Sequence, residues 1–153
     1  MSSRLFTEVR EKRGLAYYVS SDYNEFHDNG YLAASAGVDI KRVKEAIKVI
    51  LAEFRRIKKE GITAKELIQA KDNLGGRLYL GLEDSFSVAG FLGEQELLSG
   101  KIKTPEQIIA EIRKVTLEDV QKLSSEIFVN QGLNLAIIGP YKDKSVFDKI
   151  LKI

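Results

Sequence analysis

The residues best suited to do chemistry sit in one short stretch, "SRLFTEVREKRGLAYYV", residues 3–19. Arg10 and Tyr17 lie seven residues apart there, across a junction where a charged run meets Gly14 and then an apolar, tyrosine-bearing run. Arg10 falls near the end of a predicted helix and Tyr17 on the predicted strand that follows. A turn at Gly14 can therefore bring both side chains to one helix–strand corner. A guanidinium and a phenol at such a corner can donate hydrogen bonds to a peptide carbonyl or to a developing oxyanion. The competing reading is structural, with Arg10 in a salt bridge and Tyr17 in the core. The residues alone leave both readings open.

Other chemistry is poorly supplied. The chain has one histidine, His27, in the polar loop "NEFHDNG", and no cysteine. A catalytic zinc site takes three protein ligands, usually rich in histidine, so no metal site is expected within this chain. Disulfides and thiolate nucleophiles are excluded outright. A serine triad built on His27 lacks a nucleophile motif, and no acidic cluster has the spacing of a calcium or magnesium loop. The glycines of "DNLGGRLYLG" fall inside a helical run and match neither a phosphate loop nor a dinucleotide fingerprint. Glu94 with Glu96, and Glu83 with Asp84, read as surface acids.

The elements that must position Arg10 and Tyr17 follow from periodicity. Ser3 can cap a helix carrying Leu5, Phe6 and Val9, with Glu8 and Lys12 as an i,i+4 pair. Lys12 and Arg13 suit its C-terminal dipole, and Gly14 is a natural stop. Leu15 to Ser21 alternates as a strand, Asn29-Gly30 signals a turn, and Tyr31 to Val38 reads as the second strand of an antiparallel hairpin. Val43, Ala46, Ile47, Ile50, Leu51, Phe54 and Ile57 share one helical face, which Gly61 ends. Thr63 with Glu66 forms a capping box for the next helix, on which Leu67, Ala70 and Leu74 mark the apolar face and which Gly75-Gly76 weaken. Glu83 to Ser99 reads as a helix with Phe86, Ala89 and Leu92 or Gly93 inward. Thr104-Pro105-Glu106-Gln107 starts another, and Thr116 starts a helix with Val120, Leu123 and Ile127 inward. Leu133 to Ile138 reads as a buried strand, ended by Gly139-Pro140, before a short last helix holding Val146, Phe147, Ile150 and Leu151.

The expected class is thus α+β, an antiparallel sheet with helices packed on one face, over residues 1–153 as a single domain. Three strands make a poor sheet for this much helix, so part of the sheet is expected to lie outside the chain. Lys plus Arg is 24 against Asp plus Glu 22, a balance that argues against a nucleic-acid surface. No apolar run approaches the ~20 residues of a membrane span, and the N-terminus lacks the apolar stretch of a signal peptide. The chain as given reads as cytoplasmic.

The stretch "SSRLFTEVREKRGLAYYVSSDY" resembles the pitrilysin/insulinase family of zinc metallopeptidases, which includes the mitochondrial processing peptidase. "DNGYLAASAGV", "GITAKELIQAKDNLGGRLYLGLEDSFSVAGFLGEQELLSG", "TPEQIIAEIRKVTLEDVQKLSSEIF" and "LNLAIIGP" follow in the order of the family's C-terminal half. The resemblance implies an incomplete C-terminal half of a two-part clamshell. The N-terminal half would carry the zinc on an H-x-x-E-H motif, which is absent here. By the same resemblance Arg10 would hold the substrate backbone and Tyr17 would help stabilise the tetrahedral intermediate, with Tyr18 on the opposite strand face. The implied partners are a peptide or unfolded polypeptide substrate, the zinc-binding half in cis or in trans, and a second copy pairing exposed sheet edges as a homodimer. The chain alone would be inactive. Two alternatives are a non-catalytic peptide-binding or structural subunit of the same fold and a free-standing interaction domain.

Overall fold

The computed structural model describes residues 3–153. A short N-terminal helix leads into the hairpin β1 (Ala16–Glu25) and β2 (Gly30–Val38). The helices α1 (Val43–Glu60), α2 (Ala64–Leu80), α3 (Ser85–Ser99), α4 (Pro105–Lys114), α5 (Leu117–Ile127) and α6 (Ser145–Asp148) follow. The class is α+β, as the pattern implies. The backbone clusters into two compact units, one of residues 1–24, 30–61 and 122–153 and one of residues 25–29 and 62–121.

In the first unit, β1 and β2 are the only two strands that pair among the described residues. The loop between them, which clusters with the second unit, closes with the Phe26 N–H donating to the Asn29 carbonyl at 2.8 Å, at the predicted turn. Further along, the Asn24 amide donates to the Tyr31 hydroxyl at 3.0 Å, and the Tyr18 ring lies where a Cβ on Gly37 would have to go. Gly37 thus leaves room for an aromatic ring on the neighbouring strand. Val19, Ala34, Ala36 and Val38 pack on a core of Leu5, Val9, Leu15, Ala16 and Ala46. All seven residues of the predicted α1 face are buried or half-buried. Ala46 and Ile50 join the first cluster, while Val43, Ile47 and Leu51 meet Phe147, Leu133, Ile137 and Leu151 in a second. Phe54 stacks on Phe128 with ring centroids 4.8 Å apart.

Leu133 to Ile138 is not a strand. Leu133 has extended dihedrals and both Leu133 and Ile137 reach the core, but no ladder forms. An apolar, β-branched run has the local preference for a strand, whereas a strand also needs a partner with free backbone groups beside it.

In the second unit the helix starts are chemically explicit. Thr63 accepts from the Glu66 N–H while the Glu66 carboxylate accepts from the Thr63 N–H, and Thr104 and Gln107 exchange the same two bonds. Pro105 occupies the first turn of α4. Asp84 caps α3 by accepting from the Ser87 N–H at 2.9 Å. Helix α2 runs through Gly75 and Gly76 to Leu80, and Gly75 faces the Ile109 side chain of α4. The inward face predicted for α3 is corrected. Its half-buried residues are Ser87, Phe91 and Gln95, while Phe86 is 88% exposed. Gln95 fixes this face, since its amide accepts from the Lys103 N–H and donates to the Lys103 carbonyl. That pair of bonds selects which stripe of an almost uniformly apolar helix turns inward.

Candidate functional site

The corner between the N-terminal helix and β1 is held from three directions. At the helix start, Ser3 Oγ accepts from the Phe6 N–H at 3.2 Å, in line with its predicted capping role. Residues Phe6–Glu11 then take a π-helical register, in which the Lys12 N–H donates to the Thr7 carbonyl five residues back at 2.9 Å. Leu5 and fully buried Val9 pin this helix to the core. At the turn, Gly14 adopts φ 55°, a left-handed conformation that side-chain-bearing residues take at a cost. The Gly14 and Leu15 N–H groups donate to the Arg10 and Val9 carbonyls, each at 2.9 Å. From the start of α1, Arg42 donates to the Arg13 carbonyl at 3.1 Å and to the Gly14 carbonyl at 3.2 Å. Carbonyls at a helix end have no partner within the helix, and Arg42 supplies one. Sequence reasoning missed Arg42, because its only signal is a basic residue just before a helix.

The charges at this corner divide into two sets. Glu8 accepts from Lys12 Nζ at 2.6 Å and from Arg13 Nη1 at 2.5 Å. The Arg13 and then the Lys12 hydrogen bonds hold the Glu8 carboxyl at a pKa of about 2. Arg10 belongs to neither pair. Its guanidinium lies over the Phe6 ring, 5.1 Å from the centroid, and it makes no salt bridge or hydrogen bond among the described residues. Tyr17 is 86% exposed, and its hydroxyl has no hydrogen-bond partner among the described residues. Tyr17 sits between Leu15 and Val19, both of which reach the core, at a position where alternation calls for an apolar side chain. Tyr18, 56% exposed, covers Gly37. Neighbouring strand residues point to opposite faces, so the two tyrosines are not equivalent.

The structural reading of Arg10 and Tyr17 therefore fails at both residues. The arginine is in no salt bridge and the tyrosine is not in the core. Both are exposed, and no hydrogen bond joins them among the described residues.

The remaining sequence candidates do not assemble a site. His27 is exposed, with Nδ1 approaching the Leu98 carbonyl at 3.5 Å. Asp84 is occupied as the α3 cap, and the Ser87 hydroxyl and N–H keep its carboxyl below the usual range. Among the described residues no group of three histidine, aspartate or glutamate side chains is placed to hold a metal ion. A zinc ion does not fit the residues this chain offers.

Comparison with known proteins places these features. A family model described as the peptidase M16 inactive domain matches residues 1–74, the stretch that contains the corner. An uncharacterised zinc protease of Bacillus subtilis, YmxG, is 39% identical over 92% of this chain, and one of Mycobacterium leprae, ML0855, is 39% identical over all of it. The chain belongs to the peptidase M16 family. It corresponds to the C-terminal half of these peptidases and spans 34% of the length of both relatives. The crystal structure of a conserved protein from Enterococcus faecalis shares the fold of this M16 chain at a TM-score of 0.67 and 30% identity, over 80% of this chain and 28% of that one. No helix of this M16 chain is long and apolar enough to cross a membrane among the described residues.

Proposed function

We propose that this chain is the substrate-binding, transition-state-assisting part of a zinc endopeptidase whose metal site lies on the other half of the full-length protein, in cis or on a partner chain. The observation that carries this reading is the state of Arg10 and Tyr17. At a corner where Lys12 and Arg13 are held by Glu8 and the Arg13 and Gly14 carbonyls are held by Arg42, both donors are exposed and make no hydrogen bond among the described residues. Arg10 donates to a carbonyl of an extended peptide and fixes its register. Tyr17 donates its hydroxyl proton in a hydrogen bond to the carbonyl oxygen as negative charge grows on it, an interaction stronger in the transition state than in the ground state. The likeness to proteins named zinc proteases supports a peptide substrate and a zinc on the other half.

The test is Tyr17→Phe, assayed with the zinc-bearing half present. Losing one oxyanion donor lowers kcat by roughly 100- to 1,000-fold, and KM changes little because the bond forms mainly in the transition state. Tyr18→Phe is the control and keeps its kcat. An unchanged kcat in Tyr17→Phe overturns the assignment.

A second reading is a peptide-binding or structural subunit that does not cleave. It is favoured by the description of the matching family model as an inactive domain and by the lack of a metal-holding group among the described residues. Under this reading the complete protein binds peptides with Arg10-dependent affinity and shows no turnover with zinc supplied.

A further inference from the structure

The contact that Arg10 makes is aromatic. The Phe6 ring lies under the guanidinium at 5.1 Å, within the range of a cation–π contact. The two residues are four apart on the N-terminal helix, so their side chains share a face. Phe6 is half-buried while Arg10 is exposed. The ring is thus anchored and the cation over it is not. A free arginine has rotamer entropy to lose on binding. A guanidinium already resting over a ring has less freedom to lose, and Arg10 makes no hydrogen bond among the described residues.

We infer that Phe6 is a positioning residue for Arg10: its ring holds the guanidinium flat, so that the N–H edge faces the path of the substrate backbone. This inference rests on the proposal that Arg10 binds peptide. Phe6 touches neither substrate nor metal in this account and acts only through Arg10.

The experiment has two readouts. The first is the NMR spectrum of the chain, in which the Arg10 Cδ protons and Nε–H shift upfield under the ring current. Phe6→Leu, which keeps an apolar side chain at this half-buried position, removes that shift, whereas Phe6→Tyr keeps it. The second is peptide cleavage with the zinc-bearing half present. Phe6→Leu raises KM about two- to five-fold with kcat unchanged, as expected for a cation–π contact at an exposed site. Phe6→Tyr restores KM, and Phe6→Leu adds nothing in an Arg10→Ala background. If the wild-type chain shows no ring-current shift, the stacking is wrong. If Arg10→Ala raises KM and Phe6→Leu does not, Phe6 has no positioning role and the reading of Arg10 stands. If Arg10→Ala leaves KM unchanged, both fall. Equal rises in KM for Phe6→Leu and Phe6→Tyr also overturn the inference, since the aromatic face would then be irrelevant.

Discussion

The helix ends of the two units treat polar side chains differently. At the starts of α2, α3 and α4, in the second unit, the polar residues are turned back on their own backbone. Thr63 and Glu66, Asp84 and Ser87, and Thr104 and Gln107 bond to one another within three residues. At the Gly14 corner, in the first unit, the same bookkeeping leaves a remainder. Glu8 engages Lys12 and Arg13, Arg42 engages two carbonyls, and Arg10 and Tyr17 are left over. Side-chain caps are local devices that stabilise a helix wherever it lies. A donor pair left open on a well-fixed frame adds no hydrogen bond to the fold, which fits the proposed use toward a second molecule.

This contrast predicts a separation between activity and stability. Below the Tyr17→Phe effect, the largest change expected is Arg10→Ala. A hydrogen bond from a charged donor is worth about 1.5–3 kcal/mol, so kcat/KM for peptide cleavage with the zinc-bearing half present falls roughly 10- to 100-fold, mostly through KM. The thermal midpoint stays within about 1 °C, since surface substitutions away from packed features change stability little. A drop of several degrees would show that Arg10 supports the fold after all.

Arg42→Met comes next and blurs the separation on purpose. It removes both donors to the Arg13 and Gly14 carbonyls and keeps an aliphatic stem. Stability falls by about 1–2 kcal/mol, and kcat/KM falls by roughly ten-fold because the corner no longer fixes the spacing of Arg10 and Tyr17. Thr104→Ala is its counterpart in the second unit. Loss of that cap costs about 1 kcal/mol, or about 2–4 °C in Tm, with kcat/KM unchanged. Calorimetry and steady-state kinetics on the two variants check the pair. Equal losses of activity would mean that global stability, and not corner geometry, controls turnover.

How much of this was legible in the sequence depends on how local the cause is. The stops at Gly14 and Gly61 and the boxes at Thr63 and Thr104 follow from residues within one turn, and each is found where it was expected. The α1 face is equally plain, because a long stripe at helical spacing has one way to be buried. Leu133 to Ile138 misled because strand formation is a property of pairs. The α3 face misled because nearly every position of "SFSVAGFLGEQELLS" is apolar or small, and the choice among stripes falls to Gln95 bonding across the loop to Lys103. At the site, the positions of Arg10 and Tyr17 were legible. Their freedom was not, since it depends on Glu8 engaging Lys12 and Arg13, and neither was the π-helical register of residues 6–11. A one-residue change of hydrogen-bond register leaves no mark in composition or periodicity.

The smallest effect expected concerns Glu8, and its sign follows from its protonation. The folded chain holds this carboxyl at a pKa of about 2, against 4.5 for an unperturbed glutamate, through Arg13 and Lys12. A carboxylate with a lowered pKa in the folded state adds stability that is complete above about 4.5 and is lost as pH falls toward 2. The Glu8 side chain is only 13% exposed, but Lys12 and Arg13 are largely in water, so the contribution is about 1 kcal/mol or less. Glu8→Gln should therefore unfold slightly more easily than the wild type at pH 7, and the two midpoints should converge by about pH 2. Other lowered carboxyls, Asp84 and Asp143 among them, titrate alike in both chains and cancel in the difference. The difference should also shrink at 1 M salt, where charges in water are screened within about 3 Å. If the midpoints instead diverge toward acid, Glu8 is not paired as described. Lys12 and Arg13 would then be as free as Arg10, and the contrast that singles out Arg10 would be lost.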